Sequence, residues 1–190
     1  MTPAIAEFTA WAAFFVTWVV AAFWAARPAA RAGIGAQWLY LALTVPGFYL
    51  LLQPSDFGSW PRLWQASPAL AWAMVALSVA GFALCWWARV HLGALWSGTV
   101  TRKEGHRIVD TGPYAFVRHP IYTGILAACI GQAVIAGTLG AIAGAALVTL
   151  GHIVKARLEE GFLKDELGAA PYEAYARTTP MLIPWPRPGR

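Results

Sequence analysis

Residues 121–151 read IYTGILAACIGQAVIAGTLGAIAGAALVTLG and contain no charged side chain. As a single helix this run would be about 46 Å long, which exceeds one crossing of a hydrocarbon core about 30 Å thick but suits two short crossings. A natural turn lies in its middle at Gly137-Thr138-Leu139-Gly140, and Gly140 and Gly144 have the small-residue spacing that lets helices approach closely. The run therefore predicts a hairpin of two membrane helices.

Three further apolar runs precede this hairpin. Residues 5–26 carry no charge after Glu7, residues 34–52 carry none but contain Pro46-Gly47, and a third run extends from Pro68 to about Ala88. Each run has about twenty residues, enough to cross a bilayer, and a proline kinks a membrane helix without excluding it. We therefore expect an all-α integral membrane protein with about five transmembrane helices. It forms one domain over residues 1–190, with three N-terminal spans in 1–88 and a functional core in 89–190.

The composition supports this fold class and narrows the function. Hydrophobic residues make up 58% of the chain and charged residues 12%, whereas about a quarter of the residues in a soluble domain are charged. The net charge of +5 comes from basic residues spread over several loops, so we expect a lipid bilayer and no nucleic acid as a partner. Cys85 and Cys129 lie singly inside apolar runs, which predicts neither a disulfide framework nor a metal site. The oligomeric state stays open.

The distribution of basic residues predicts the topology. A short loop with Arg27 and Arg31, the polar segment 89–118 and the basic C-terminal tail all fall on one side of the membrane, and loop 53–67 and the uncharged turn fall on the other. Because basic loops remain in the cytoplasm, we expect the N-terminus outside and the C-terminus cytoplasmic.

Segment 89–118 is too polar to span a membrane, and long loops are commonly functional. We expect loop 89–120 and the C-terminal tail to form a cytoplasmic pocket. The hairpin returns the chain to the side it left, so Arg118 before it should lie near Glu159 and Glu160 after it. A guanidinium there suits a carboxylate or a phosphate, although pairing with a glutamate only to fix the helix ends is an open alternative.

Two segments resemble the isoprenylcysteine carboxyl methyltransferase family and its phospholipid methyltransferase relatives. The first comprises GHRIVDTGPY at 105–114 and VRHPIYTG at 117–124, and the second is EEGFL at 159–163 with Gly168, Tyr172, Tyr175 and the closing prolines. The motifs occur in the family's order and together cover about residues 89–185. The chain is short, like the minimal microbial members, so we expect it in a prokaryotic plasma (inner) membrane.

The resemblance implies S-adenosyl-L-methionine as the methyl donor and S-adenosyl-L-homocysteine as the product. It also implies roles for individual residues. Arg118, Glu159 and Glu160 would be catalytic, and Lys155 and Arg157 would bind the substrate, with Lys155 standing where family members carry an arginine. The cofactor-binding positions would be His106, Arg107, Ile108, Val109, Gly112, Tyr114, His119, Pro120, Ile121 and Tyr122.

The expected activity is methyl transfer to a lipophilic or small acceptor at the membrane, most like isoprenylcysteine carboxyl O-methylation. One alternative is N- or S-methylation of a phospholipid amine or a small thiol. Some membrane reductases resemble the family in their C-terminal half, so an NADPH-dependent reductase is a second alternative. The third is a non-catalytic lipid-binding membrane protein. The identity of the acceptor stays open.

Overall fold

The computed structural model describes residues 1–23, 30–31, 34–53, 60–93, 96, 101–102 and 108–185. The regular secondary structure in this part of the chain is helical, apart from two paired strands of two residues each. The α-helices are α1 (Pro3–Ala22), α2 (Ile34–Leu52), α3 (Pro68–Leu92), α4 (Pro120–Ala136), α5 (Leu139–Leu167) and α6 (Ala169–Thr178). Helices α1, α3 and α5 are long and apolar enough to cross a membrane, whereas α4 and the part of α2 from Gln37 to Leu52 are shorter apolar helices. The prediction of an all-α fold is confirmed.

Local sequence signals explain where the helices begin. Thr2, Ser67 and Thr138 each accept a hydrogen bond from a backbone N–H of the first turn, which satisfies a donor that has no partner inside the helix. Pro3, Pro68 and Pro120 open their helices at positions where a missing N–H costs nothing.

Helix α3 continues beyond the expected end near Ala88. It runs to Leu92 and stops at Gly93, whose φ of 55° favours glycine. Arg89 does not end the helix because its guanidinium finds partners inside the fold. It lies 3.3 Å from the centroid of the Trp96 ring and 5.0 Å from that of Trp18, and donates to the carbonyl of Ala21 at the end of α1.

Helices α1 and α3 run parallel and are joined by aromatic rings and by two polar contacts, one from Arg89 to the carbonyl of Ala21 and one from Ser78 to Glu7. The Phe14 and Phe82 rings stack with centroids 4.4 Å apart, and Trp11 meets Phe82 edge-on at 4.9 Å. Near the start of α1, Glu7 is buried and accepts hydrogen bonds from Ser78 Oγ at 2.7 Å and Trp11 Nε1 at 3.0 Å. Glu7, the charged residue of the first apolar run, therefore lies inside the bundle.

Small residues decide which helices pair. A Cβ added at Gly81 of α3 or at Gly124 of α4 would collide with the carbonyl oxygen of the other glycine, so these backbones touch. Gly144 of α5 likewise packs against the backbone of Gly47 and Leu51 in α2, whereas Gly140 faces the ring of Trp60. Helix α4 consequently packs mainly on α3 and α5 mainly on α2, and the small-residue spacing serves packing within the chain.

The loops lie at the two ends of the bundle. At one end, strand β1 (Ala30–Arg31) pairs antiparallel with β2 (Thr101–Arg102), which joins the first loop to the long polar segment. At the other end, Trp64 Nε1 donates to the carbonyl of Val134 at 2.9 Å, beside the turn between α4 and α5. The long polar segment and the C-terminal tail therefore share one end of the bundle, where Arg118 N–H donates to the carbonyl of Pro180.

Candidate active site

The turn between α4 and α5 brings two distant parts of the chain together. Gly137 ends α4 with a φ of 63°, Thr138 caps α5, and α5 then returns past the start of α4. The residues that meet there form a group that we call the charged cluster, which consists of Arg118, His119, Tyr122, Glu159 and Glu160. The expected proximity of Arg118 to Glu160 is thus found in the structure, and Glu159 is contacted by the neighbouring His119 and by Tyr122.

Arg118 uses its donors within the protein. Its Nε donates to Glu160 Oε1 at 2.8 Å, and its Nη1 donates to the backbone carbonyls of Ala176 at 3.2 Å and Thr179 at 2.5 Å. Only 9% of the Arg118 side chain and 16% of the Glu160 side chain are exposed. Arg118 therefore ties α5, α6 and the C-terminal segment to the start of α4.

His119 lies between the two carboxylates. Its Nε2 is 3.1 Å from Glu160 Oε1, and its Nδ1 is 3.6 Å from Glu159 Oε2. Burial by itself lowers the pKa of His119, but the hydrogen bonds and charges of the two glutamates outweigh burial and raise the pKa above its ordinary value of 6.5. Because both ring nitrogens face acceptors, the doubly protonated imidazolium satisfies the geometry best.

Tyr122 and Glu159 complete the cluster on the side of the apolar bundle. The Tyr122 hydroxyl donates to Glu159 Oε1 at 2.6 Å, and its ring stacks on His119 with centroids 5.3 Å apart and an interplanar angle of 4°. The Glu159 side chain is 22% exposed, the most open of the four charged groups in the cluster. Glu159 can therefore still accept hydrogen bonds from a ligand.

Tyr114 lies beside the charged cluster. It is buried, and its backbone carbonyl accepts a hydrogen bond of 2.7 Å from the hydroxyl of Tyr175 in α6. Burial, and next the charge of Glu159, raise the pKa of the Tyr114 phenol, so this side chain stays neutral. Gly112 precedes it with a φ of 58°, and a Cβ there would meet the ring of His91.

Lys155 and Arg157 lie on different sides of α5. The Lys155 ammonium is 5.2 Å from the centroid of the Tyr40 ring and 5.4 Å from that of Tyr122, so Lys155 faces the cluster. Arg157 is exposed, and residues two apart in a helix point in different directions. The structure brings Lys155 to the site and leaves Arg157 at the surface.

The other predicted site residues divide into three groups. Pro120 and Ile121 are buried at the start of α4, and Ile108 and Val109 are half-buried ahead of the site. His106 and Arg107 lie outside the described residues.

Tyr40 was not expected at the site from the sequence, whereas the C-terminal tail was. Tyr40 reaches the site from α2, where no pattern distinguishes it from the other aromatic residues of an apolar run. Residues 180–182 run beside the cluster, with the carbonyls of Pro180 and Met181 accepting from the N–H groups of Arg118 and His119.

The fold and the site define a class of protein: an integral membrane protein of apolar helices with a compact cluster of charged residues at one end. The model of the isoprenylcysteine carboxyl methyltransferase (ICMT) family matches residues 74–164, a segment that includes α4 and the whole charged cluster. Protein-S-isoprenylcysteine O-methyltransferase B from Arabidopsis thaliana is 33% identical to the chain over 87 residues, which are 45% of this chain and 44% of that protein. The similarity to the ICMT family thus lies in this core segment, which includes the residues of the charged cluster. The match spans less than half the length of the plant relative.

Proposed function

We propose that this protein transfers a methyl group from S-adenosyl-L-methionine to a lipophilic acceptor at the membrane, with an isoprenylcysteine carboxylate as the first candidate acceptor. The observation that carries the proposal is the charged cluster, which lies within the segment that matches the ICMT family. The name of the plant relative points to the same acceptor.

The chemistry of the cluster suits the methyl donor. That molecule carries a positive sulfonium and ammonium, a carboxylate, ribose hydroxyls and an aromatic base. Glu159 has acceptor capacity left for positive or hydroxyl groups, and the stacked His119 and Tyr122 rings offer an aromatic surface. We assign the binding of the donor to Tyr114, His119, Tyr122 and Glu159, together with the predicted His106 and Arg107. When bound, the donor supplies a methyl group already activated by the sulfonium.

The residues of the chain then have mainly to orient the reactants and exclude water, which are large contributions for such a reaction. Arg118 acts as a positioning residue, because its guanidinium is committed to Glu160 and to two backbone carbonyls. Lys155, held near Tyr40 and Tyr122, lies where it can attract an anionic acceptor. A lysine offers a point charge and not a planar fork, so the hold on a carboxylate would be less directional than that of an arginine.

The reaction needs a general base only when the acceptor group must lose a proton. A carboxylate is ionised at neutral pH and attacks the methyl carbon directly. An amine or thiol must first lose a proton, and Glu159 or Glu160 would then receive it. Methylation of a phospholipid amine or small thiol is the alternative within the same reaction class.

We further propose that all five apolar helices α1 to α5 cross the membrane, with the charged cluster at the cytoplasmic surface. The donor then enters from the cytoplasm and the acceptor laterally between helices. The proposal rests on the positive-inside rule and on the loops that share an end with the cluster.

Thermal unfolding of the purified protein with added ligands tests the proposed cofactor. A ligand that binds only the folded state raises the melting temperature with concentration. We expect S-adenosyl-L-homocysteine to stabilise the wild-type protein and NADPH to have no effect. Stabilisation by NADPH alone would indicate the reductase alternative, and stabilisation by neither would favour a non-catalytic lipid-binding protein.

A further inference from the structure

The segment that follows α6, residues 180–185, is attached to the first turn of α4. Its first two carbonyls accept hydrogen bonds from the N–H groups of Arg118 at 2.8 Å and His119 at 3.1 Å. The third, that of Leu182, accepts from Thr123 Oγ1 at 2.6 Å. We call residues 180–185 the C-terminal segment, and it lies beside the first turn of α4 and not beyond the end of that helix.

The length of α4 sets the depth of this segment. Helix α4 has 17 residues, which gives a length of about 26 Å. The hydrocarbon core of a bilayer is about 30 Å thick, so a helix of this length that crosses it has both ends at the edge of the hydrocarbon. With α4 crossing as proposed above, the C-terminal segment lies at the boundary between headgroups and acyl chains of the cytoplasmic leaflet.

The side chains of the C-terminal segment suit this boundary. Leu182 is buried in the core of the bundle, whereas Ile183 and Trp185 are each 73% exposed. One apolar side chain thus fixes the segment to the protein, and the other two point away from it. Tryptophan is enriched where a membrane protein meets the headgroups, because its ring is apolar and its N–H is polar.

The backbone of the C-terminal segment is also suited to a lipid boundary. Non-helical backbone is costly there unless its polar groups have partners. The carbonyls of residues 180–182 all accept hydrogen bonds from the start of α4, and Pro180 and Pro184 have no N–H to satisfy. Fewer backbone groups therefore need water than in an ordinary loop.

The charge of the surrounding sequence favours anionic lipids. From residue 174 to residue 190 the sequence contains three arginines, Arg177, Arg187 and Arg190, and no acidic residue. The cytoplasmic leaflet carries a negative surface potential, which attracts basic segments close to a membrane helix.

We propose that the C-terminal segment is an interfacial anchor, in which Ile183 and Trp185 insert between the anionic headgroups and acyl chains of the cytoplasmic leaflet. The proposal rests on the proposed crossing of α4 and goes beyond the proposed methyl transfer. Since the same segment is hydrogen-bonded to Arg118 and His119, its contact with lipid holds it against the charged cluster.

Fluorescence quenching in nanodiscs of phosphatidylethanolamine and phosphatidylglycerol tests this anchor. Ile183→Cys and Trp185→Cys are each labelled with an environment-sensitive fluorophore. Ala174→Cys is the matched control, because Ala174 is exposed on α6 at the same end of the bundle. The wild-type protein is the labelling blank, because Cys85 and Cys129 are buried.

We expect both labels on the C-terminal segment to emit at shorter wavelength than the label at residue 174. They should lose most of their fluorescence to lipids with a nitroxide near the headgroup end of the acyl chain, and less to lipids with a nitroxide at the methyl end. Aqueous iodide should quench only the control label.

Two results would overturn the anchor. Quenching of the two segment labels by iodide as strong as that of the control would place the segment in water. Protection from both iodide and nitroxide lipids would show that protein covers it, such as a second copy of this chain. Neither result bears on methyl transfer, because the measurement needs no donor or acceptor, and labelling from the two sides of sealed vesicles tests the crossing of the helices separately.

Discussion

At the scale of single residues, the pairing of Arg118 with Glu160 holds the site together. Both side chains are largely buried, and removal of one partner from a buried ion pair leaves an uncompensated charge. We expect Glu160→Gln to lower the free energy of unfolding in detergent by about 3 kcal/mol. Asp165→Asn, an exposed carboxylate farther along α5, is the control and should change it by less than about 0.5 kcal/mol.

A double-mutant cycle with Arg118→Met checks that this loss comes from the pair. The double variant should be destabilised by clearly less than the sum of the two single variants, because each single change removes the same interaction. Strictly additive effects would contradict the assigned pairing.

His119 gives the site a dependence on pH. Because its folded-state pKa is raised above 6.5, protonated His119 contributes stability that is fully present below pH 6.5 and is lost as the pH rises through the raised pKa. The melting temperature of the wild-type protein should therefore exceed that of His119→Gln most at low pH, and the difference should shrink toward high pH. Melting curves of both proteins over about pH 6 to 9 measure it. A difference that grows with pH would contradict the raised pKa.

At the scale of elements, the segment after α6 packs against the start of α4, beside the charged cluster. Thr123 Oγ1 donates to the carbonyl of Leu182 at 2.6 Å, and the Leu182 side chain is buried at 8% exposure while that of Ile183 is 73% exposed. We expect Leu182→Ala to destabilise the protein by about 2–4 kcal/mol and to weaken the binding of S-adenosyl-L-methionine.

Ile183→Ala is the matched control, since it removes similar atoms from the next residue, and should stay within about 0.5 kcal/mol of the wild-type protein. Denaturation in detergent and calorimetric titration of the cofactor measure the two effects. Equal losses in both variants would show that the segment does not pack as described.

The elements also show what the sequence can and cannot predict. The proximity of Arg118 to Glu160 followed from the uncharged run with a central turn, because a chain that crosses and returns must bring its ends together. The continuation of α3 past Ala88 could not be predicted from the sequence, because it depends on the contacts of Trp96 and Trp18 with Arg89. A charged residue normally marks the end of a membrane helix. Only the tertiary structure shows that the charge of Arg89 has partners inside the bundle.

The sequence also could not predict which helices pair or which residues contact the buried polar groups. The contact of Gly81 with Gly124 needs both helices in register, and a single glycine in an apolar run does not identify its partner. Likewise, nothing in the sequence identifies Ser78 and Trp11 as the residues that donate hydrogen bonds to the buried Glu7. The apolar period identifies helices, whereas the partners of individual polar groups are decided by packing.

At the scale of the whole molecule, the proposed topology places the two ends of the bundle on opposite sides of the membrane. We expect Gln65→Cys, in the loop beside the α4–α5 turn, to react with a membrane-impermeant maleimide in sealed right-side-out vesicles. Ala174→Cys on α6 should react only after the vesicles are opened. The wild-type protein is the blank, because Cys85 and Cys129 are buried. Labelling of both positions in sealed vesicles, or the reverse pattern, would refute the topology.

The transfer of a labelled methyl group tests the central claim most directly. Wild-type protein, Glu159→Gln and Asp165→Asn are each incubated with membrane extract and S-adenosyl-L-methionine labelled in its methyl group, and the lipophilic product is identified by mass spectrometry. We expect equal labelling by the wild-type protein and Asp165→Asn, and at least a roughly tenfold loss in Glu159→Gln, because the proposed role of Glu159 is to bind and orient the methyl donor. A folded wild-type protein that yields no labelled lipophilic product, or a Glu159→Gln protein as active as the wild type, would contradict it.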